Sequence, residues 1–162
     1  MYVGLPSGTV RSFTLWRSGA DGSAPFQLLG PNVFVKYQSP RFSPDGQHLT
    51  FAAVGTPQGY SPPAGLDLLR AFFVPEVAYA DGDLWDMWSI DVDGRNLHRL
   101  TSVNEDLPVL TWSPDGNALA YLGGGSTITA QGGVTVIDAA TGSPLARLSV
   151  QPGHRGLDWT GR

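Results

Sequence analysis

The chain has 162 residues, a net charge of −4, 21 glycines, 13 prolines and no cysteine. Its one lysine and scattered arginines form no basic stripe, which excludes nucleic acid as a partner, and the lack of cysteine excludes disulfides and thiolate chemistry. Glycine and proline together are well above the roughly 12% of an average protein, and 41% of the residues are hydrophobic. This composition is typical of a turn-rich, all-β chain with an apolar core, not of a disordered one.

Short strand patterns recur along the chain in one fixed order. Residues 1–4 align with the second strand of the pattern, represented later by His48–Val54 and Ala118–Leu122. The third-strand copies are Phe13–Trp16, Met87–Asp91 and Val134–Asp138, and the fourth-strand copies are Phe26–Leu29, Leu97–Thr101 and Leu145–Ser149. Glycine turns at Gly22, Gly94 and Gly142 separate the third strand from the fourth. Four strands in about 47 residues is the length of a β-propeller blade.

A second repeat marks the entry to each second strand. The segment 41–46, Arg-Phe-Ser-Pro-Asp-Gly, returns as 111–116, Thr-Trp-Ser-Pro-Asp-Gly, and in a worn form at 157–162. Proline fixes φ for the second position of a type I turn, aspartate suits the third position, and glycine accepts the positive φ that follows. Two copies in register, each followed by the same three strands, predict two neighbouring blades.

These residues resemble a known family. The Trp-Ser-Pro-Asp-Gly turn at 112–116, the Asp-Val-Asp-Gly turn at 91–94 and the following Arg-Leu-Thr at 99–101 are similar to TolB-type β-propeller repeats. The resemblance implies an all-β propeller segment of about three four-stranded blades. It also implies an extracytoplasmic, periplasmic location, although residues 1–10 lack the basic and apolar regions of a signal peptide.

The repeat divides the chain into blades, which together make up part of a propeller. Residues 1–30 form part of blade 1, residues 40–101 form blade 2 with an insertion at 55–84, residues 108–150 form blade 3, and residues 157–162 start blade 4. Closed propellers have about four to eight blades. We therefore expect either a segment of a longer propeller or a propeller whose open ends another chain completes.

The insertion carries the predicted partner site. Glycine and proline open it, and residues 66–74 then show an apolar helical periodicity that ends at Pro75, which predicts a partly helical insertion in the middle blade. One interpretation is that this segment docks on a protein partner or a membrane surface, and the other is that it folds back as a lid on its own propeller. The residues predicted to bind the partner are Leu66, Leu69, Phe72, Phe73, Tyr79 and Trp85.

Chemical motifs are sparse. No Gly-x-Ser-x-Gly nucleophile elbow is present. His48 and His98 have no paired histidine at metal-ligand spacing, so no catalytic or ligand role is expected for them, and a surface position is expected for His154. The aspartates at 81, 83, 86, 91 and 93 could bind calcium, but they lack the EF-hand pattern and are interpreted as turn and strand-end residues. The glycine-rich stretch 123–133 has no phosphate-loop ending and is interpreted as a loop. No catalytic, cofactor-binding or metal-binding residue is predicted.

The sequence therefore predicts a non-catalytic protein-interaction or scaffold module. We expect an extracytoplasmic subunit of a larger assembly, with protein partners and a membrane association through those partners. The alternative is the gating or substrate-binding propeller of a prolyl-oligopeptidase-like hydrolase whose catalytic domain lies outside these residues. A third interpretation, a propeller that binds a sugar or another small ligand through aromatic residues at its funnel, has no selecting feature in the sequence.

Overall fold

Three antiparallel sheets make up the fold in a computed structural model that describes residues 2–4, 13–60, 85–102, 106–124, 133–150 and 156–160. The first sheet contains β1 (Tyr2–Gly4), β2 (Thr14–Arg17) and β3 (Phe26–Leu29). The second contains β4 (Lys36–Phe42), β5 (His48–Val54), β6 (Trp85–Asp91) and β7 (His98–Arg99). The third contains β8 (Asp106–Trp112), β9 (Ala118–Gly124), β10 (Gly133–Asp138) and β11 (Pro144–Ser149).

Strands follow one another in space as they do in sequence. The second sheet has the order β4-β5-β6-β7, the third has the order β8-β9-β10-β11, and the first has β1-β2-β3. Every pairing is antiparallel. The predicted all-β architecture of repeated four-stranded blades is confirmed.

The partly helical insertion predicted in the middle blade is not borne out. None of the described residues is helical, and residues 55–60 form bends and turns. The helical periodicity at 66–74 falls within residues 61–84, which lie outside the described residues. In the described part of the chain, no helix has the length and apolarity needed to cross a membrane.

The sheets pack face to face through two apolar clusters. The cluster between the first and second sheets joins Leu15 and Leu28 to a group of aromatic residues that includes Phe34, Phe51 and Trp88. Trp88 is fully buried, and its ring centroid lies 4.8 Å from that of Phe34 and 4.9 Å from that of Tyr60. Burial of large aromatic side chains contributes strongly to stability, so this cluster holds the first two blades together.

The cluster between the second and third sheets is smaller. It joins Met87 of β6 and Leu100, which directly follows β7, to Leu110, Leu119, Tyr121 and Ile137 of the third sheet. We call the face of a sheet that meets the following sheet its front face, and the opposite face its rear face. Alternate residues of one strand point to opposite faces, so β6 places Trp88 on its rear face and Met87 on its front face.

The innermost strands β4 and β8 contact each other through matching irregularities. The register of β4 shifts between Gln38 and Arg41, and that of β8 shifts between Asp106 and Val109. The amide Nε2 of Gln38 donates to the Pro108 carbonyl at 3.1 Å, and the Leu110 N–H donates to the Ser39 hydroxyl at 3.0 Å. These bonds place the inner edges of the two blades side by side, and with them the turns that follow both strands.

Candidate functional site

Two Ser-Pro-Asp-Gly turns with nearly identical hydrogen bonding follow the inner strands. The Ser113 hydroxyl donates to Asp115 Oδ1 at 2.6 Å and accepts the Ala118 N–H at 2.9 Å. The Ser43 hydroxyl donates to Asp45 Oδ1 and accepts the His48 N–H at 2.9 Å. These bonds tie both serine hydroxyls and both carboxylates into the turns, which makes the turns rigid.

Hydrogen bonds within the turns lower the pKa of both turn carboxylates. The hydrogen bond from Ser43 is the main cause that lowers the pKa of Asp45, and the Gln47 N–H, which donates to Asp45 Oδ1 at 3.0 Å, adds to it. Hydrogen bonds from Ser113 and from Asn117 lower the pKa of Asp115 in the same way. Because hydrogen bonds to a carboxylate favour its charged form, both groups carry negative charge at neutral pH.

The two turns lie against each other across the boundary between blades. Gly116 adopts a φ of 75°, and a Cβ placed on it would lie 3.6 Å from Cδ of Pro44. Beside this contact is a cleft of about 430 Å³ lined by both turns and by the loop that follows β10. We call it the turn cleft. Its volume is in the range of small-molecule pockets and is large enough for one side chain of a partner protein.

Two histidines line the turn cleft, and each is held through Nδ1. His48 Nδ1 lies 3.0 Å from Asp91 Oδ1, and Asp91 Oδ2 also accepts a bond of 2.6 Å from Asn96 Nδ2. His98 Nδ1 donates to the Asn96 carbonyl at 2.8 Å. A carboxylate and a carbonyl can only accept, so Nδ1 carries the proton in both rings. Among the described residues, none is hydrogen-bonded to Nε2 of either ring.

The remaining walls are aromatic and polar. Trp112 lines the turn cleft, and its indole N–H is buried without a hydrogen-bond partner among the described residues. Ser89 and Asn117 also line it. None of the described cleft residues is an arginine or a lysine, so Asp45 and Asp115 supply the charges that do not depend on histidine protonation.

The turn cleft lacks a contact needed for nucleophilic catalysis. His48 and Asp91 form a base and its orienting carboxylate, but an activated nucleophile also needs a hydroxyl or thiol bonded to the base. Among the described residues no serine hydroxyl is hydrogen-bonded to a histidine ring nitrogen, and the Ser43 and Ser113 hydroxyls are already bonded within their turns.

The acidic residues predicted to sit at turns and strand ends have partners inside the chain. Asp86 Oδ2 lies 2.9 Å from Arg99 Nη2 in a pair that is almost completely buried, and Asp93 Oδ2 lies 3.0 Å from Arg95 Nε. Asp91 binds His48 and Asn96, as described above. Within the described residues, no three histidine, aspartate or glutamate side chains form a group that could hold a metal ion. Residues 81 and 83 lie outside the described residues.

The predicted partner site is described at one position. Trp85 lies in β6 and is 4% exposed, so its ring belongs to the packed interior and not to an accessible docking surface. The other five predicted residues, Leu66, Leu69, Phe72, Phe73 and Tyr79, lie outside the described residues, as does His154. Their role in partner binding stays a prediction.

The repeated turn motif is the sequence signal that points to the turn cleft. Repeated Ser-Pro-Asp-Gly turns in adjacent blades place two carboxylates on the same edge of the propeller. The sequence predicts no catalytic or ligand role for His48, because no second histidine lies at metal-ligand spacing from it. Its partner Asp91 is 43 positions away and is brought opposite it by the register of β5 against β6.

Four-stranded antiparallel blades that stack face to face define a β-propeller segment. The fold is TolB-like. Solved structures with this fold include TolB from Acinetobacter baumannii, at a TM-score of 0.55 and 15% identity over 83% of this chain and 26% of that one. A protein described as TolB from Agrobacterium tumefaciens matches at a TM-score of 0.56 and 17% identity over 93% of this chain and 46% of that one.

An enzyme shares the fold as well. An oligogalacturonate lyase in complex with manganese matches at a TM-score of 0.51 and 20% identity over 86% of this chain and 30% of that one. This chain therefore spans less than half the length of each of these neighbours. No protein-family model matches the sequence, and no curated protein matches it.

Proposed function

We propose that the chain is a non-catalytic binding module of an extracytoplasmic assembly, and that the turn cleft receives an anchoring side chain from a protein partner. The observation that carries this proposal is the turn cleft itself, whose walls are two rigid turns and two histidines held through Nδ1. Pre-organised walls reduce the entropy lost on binding. The resemblance to TolB-type repeats supports the extracytoplasmic location and a membrane association through partners.

The charge of the turn cleft favours a basic side chain. Asp45 and Asp115 are ionised, and no described arginine or lysine lines the cleft to neutralise them. An arginine or lysine from the partner would gain two opposite charges, and its aliphatic stem could lie along Trp112. The imidazole Nε2 atoms and Asn117 would accept or donate further hydrogen bonds.

Site-specific crosslinking in the source cells tests the proposal. A photoreactive phenylalanine analogue at position 98, on the turn cleft, is expected to capture one specific protein. The same analogue at position 145, an exposed leucine of β11, is expected not to capture it. Equal capture at both positions, or no capture at position 98, would contradict the proposal.

The captured protein is then purified and its affinity is measured by calorimetry. The Asp45→Asn and Asp115→Asn double variant keeps an oxygen that accepts the turn hydrogen bonds but removes both charges, so we expect binding to weaken by about tenfold or more. An unchanged affinity would show that the anchoring group is not basic. A variant lacking residues 62–80 tests the predicted insertion contact in the same assay, and loss of binding there with a folded propeller would place a second contact in the insertion.

A further inference from the structure

The packing of one blade on the next uses a contact that occurs twice within the chain. The turn between the third and fourth strands of each blade carries a glycine with positive φ, namely Gly22, Gly94 and Gly142 at 80°, 88° and 70°. A Cβ placed on Gly94 would lie 3.7 Å from the carbonyl oxygen of Leu28 in the preceding blade. A Cβ on Gly142 would overlap the carbonyl oxygen of Leu100.

The receiving leucines are equivalent in the repeat. Leu28 lies in β3, Leu148 lies in β11, and Leu100 directly follows β7 at the equivalent position, six residues after the turn glycine in each case. Leu28 is 7% exposed and Leu100 is 6% exposed, because each lies at an occupied interface. Leu148 is 58% exposed. The following blade covers the surface around Leu28 and the surface around Leu100. The equivalent surface around Leu148 on the third sheet is exposed.

The surface around Leu148 is apolar across several strands. Val134 of β10 lies in register with Leu148 on one side and with Leu122 of β9 on the other. Met87 is the residue equivalent to Val134, and it is completely buried at the second interface, whereas Val134 is partly exposed. This front face of the third sheet continues the established series of blade interfaces.

The opposite end of the chain offers the matching element. Gly22 has the same positive φ as Gly94 and Gly142, but no described atom lies within 4 Å of a Cβ placed on it. Phe42, near the inner edge of the second sheet, also lacks the packing that its repeat equivalent has. Its equivalent Trp112 packs against the second cluster, whereas Phe42 is 42% exposed. The first sheet also has no innermost strand among the described residues.

We propose that a second copy of this chain occupies the front face of the third sheet, with its Gly22 turn over the carbonyl oxygen of Leu148. The Gly22 turn of the first copy makes the same contact with Leu148 of the second copy. The two contacts close the pair into a ring of six blades, three from each copy. Six blades lie within the range of closed propellers, and a head-to-tail contact that closes after two copies forms a two-fold ring.

Native mass spectrometry and light scattering of the 162-residue chain test this proposal. We expect a species of twice 17.2 kDa. Leu148→Arg is expected to convert it to a monomer, because a charge beside Arg147 would be forced into an apolar contact. Leu148 is exposed in the single chain, so this variant should keep the circular dichroism spectrum of a folded β protein.

The matched control is Leu145→Arg in the same strand. Leu145 is 59% exposed, close to the value for Leu148, but it lies at the bulge of β11 and has no residue opposite it in β10. Its repeat equivalent Leu97 packs against the first cluster, on the rear side of its blade. We expect Leu145→Arg to stay dimeric. A monomeric wild-type chain, open-ended filaments, or a Leu148→Arg variant that remains dimeric would each overturn the proposal.

Discussion

Replacing Gly142 with alanine is expected to lower the free energy of unfolding by about 3–5 kcal/mol, as overpacking and left-handed backbone strain add together. The new methyl group would overlap the carbonyl oxygen of Leu100 and lie 2.8 Å from its carbonyl carbon. The obstacle is backbone, which cannot rotate away as a flexible side chain can. Urea denaturation followed by tryptophan fluorescence, at one protein concentration, measures the change.

Gly94→Ala is the matched control for this substitution. Gly94 has a φ of 88° and occupies the equivalent turn, but its Cβ would lie 3.7 Å from the nearest backbone oxygen, an ordinary contact distance. We expect this variant to lose about 1–2 kcal/mol, which is the cost of placing an alanine in the left-handed region. Equal losses in both variants would show that the third blade does not pack on the second at Leu100.

Truncation of Trp88 to alanine is expected to destabilise the protein by about 3–5 kcal/mol, the usual range for removing a large aromatic side chain from a core. Trp88 is 0% exposed and makes edge contacts with Phe34 and Tyr60. Tyr60 is also held by the Arg99 N–H, which donates to its hydroxyl at 3.1 Å. The cavity would therefore open between the first two blades and also loosen the outer strand β7. Thermal and urea unfolding both report this change.

Trp88→Phe separates the loss of volume from the loss of aromatic packing. Phenylalanine keeps an aromatic ring at the site and removes the indole N–H, which is buried without a partner among the described residues. Removing an unsatisfied donor offsets part of the cavity cost, so we expect a loss of about 1–2 kcal/mol. A Trp88→Ala variant as stable as the wild type would show that the first two blades do not share this core.

The repeat allowed much of the fold to be predicted because each blade repeats the same local chemistry. The predicted strand at His48–Val54 agrees with β5 at both ends, and the predicted strand at Ala118–Leu122 lies within β9. The fourth strand of the second blade is shorter than its pattern, since His98–Arg99 replaces the expected Leu97–Thr101. The apolar periodicity at 66–74 favoured a helix from local spacing alone, and local spacing does not report what a long insertion packs against.

The candidate site was harder to predict because it depends on contacts between blades. Serine, proline, aspartate and glycine fix each turn locally, so the turn geometry follows from four residues. The position of one turn beside the next depends on the contact between β4 and β8, whose hydrogen-bonded residues are about 70 positions apart. His98 reaches the turn cleft through a bond to Asn96, whose positive φ of 54° is unusual for a residue other than glycine. No pattern in the sequence predicts the positive φ of Asn96.

Nuclear Overhauser spectroscopy of the labelled chain tests the stacking of successive blades most directly. We expect contacts between the α protons of Gly116 and the δ protons of Pro44, because a Cβ on Gly116 would lie 3.6 Å from that Cδ. We also expect contacts from Gly142 to Leu100 and from Gly94 to Leu28, one for each blade interface. A folded β protein that shows none of these three contacts would contradict the stacked-blade arrangement on which both the turn cleft and the two-copy ring depend.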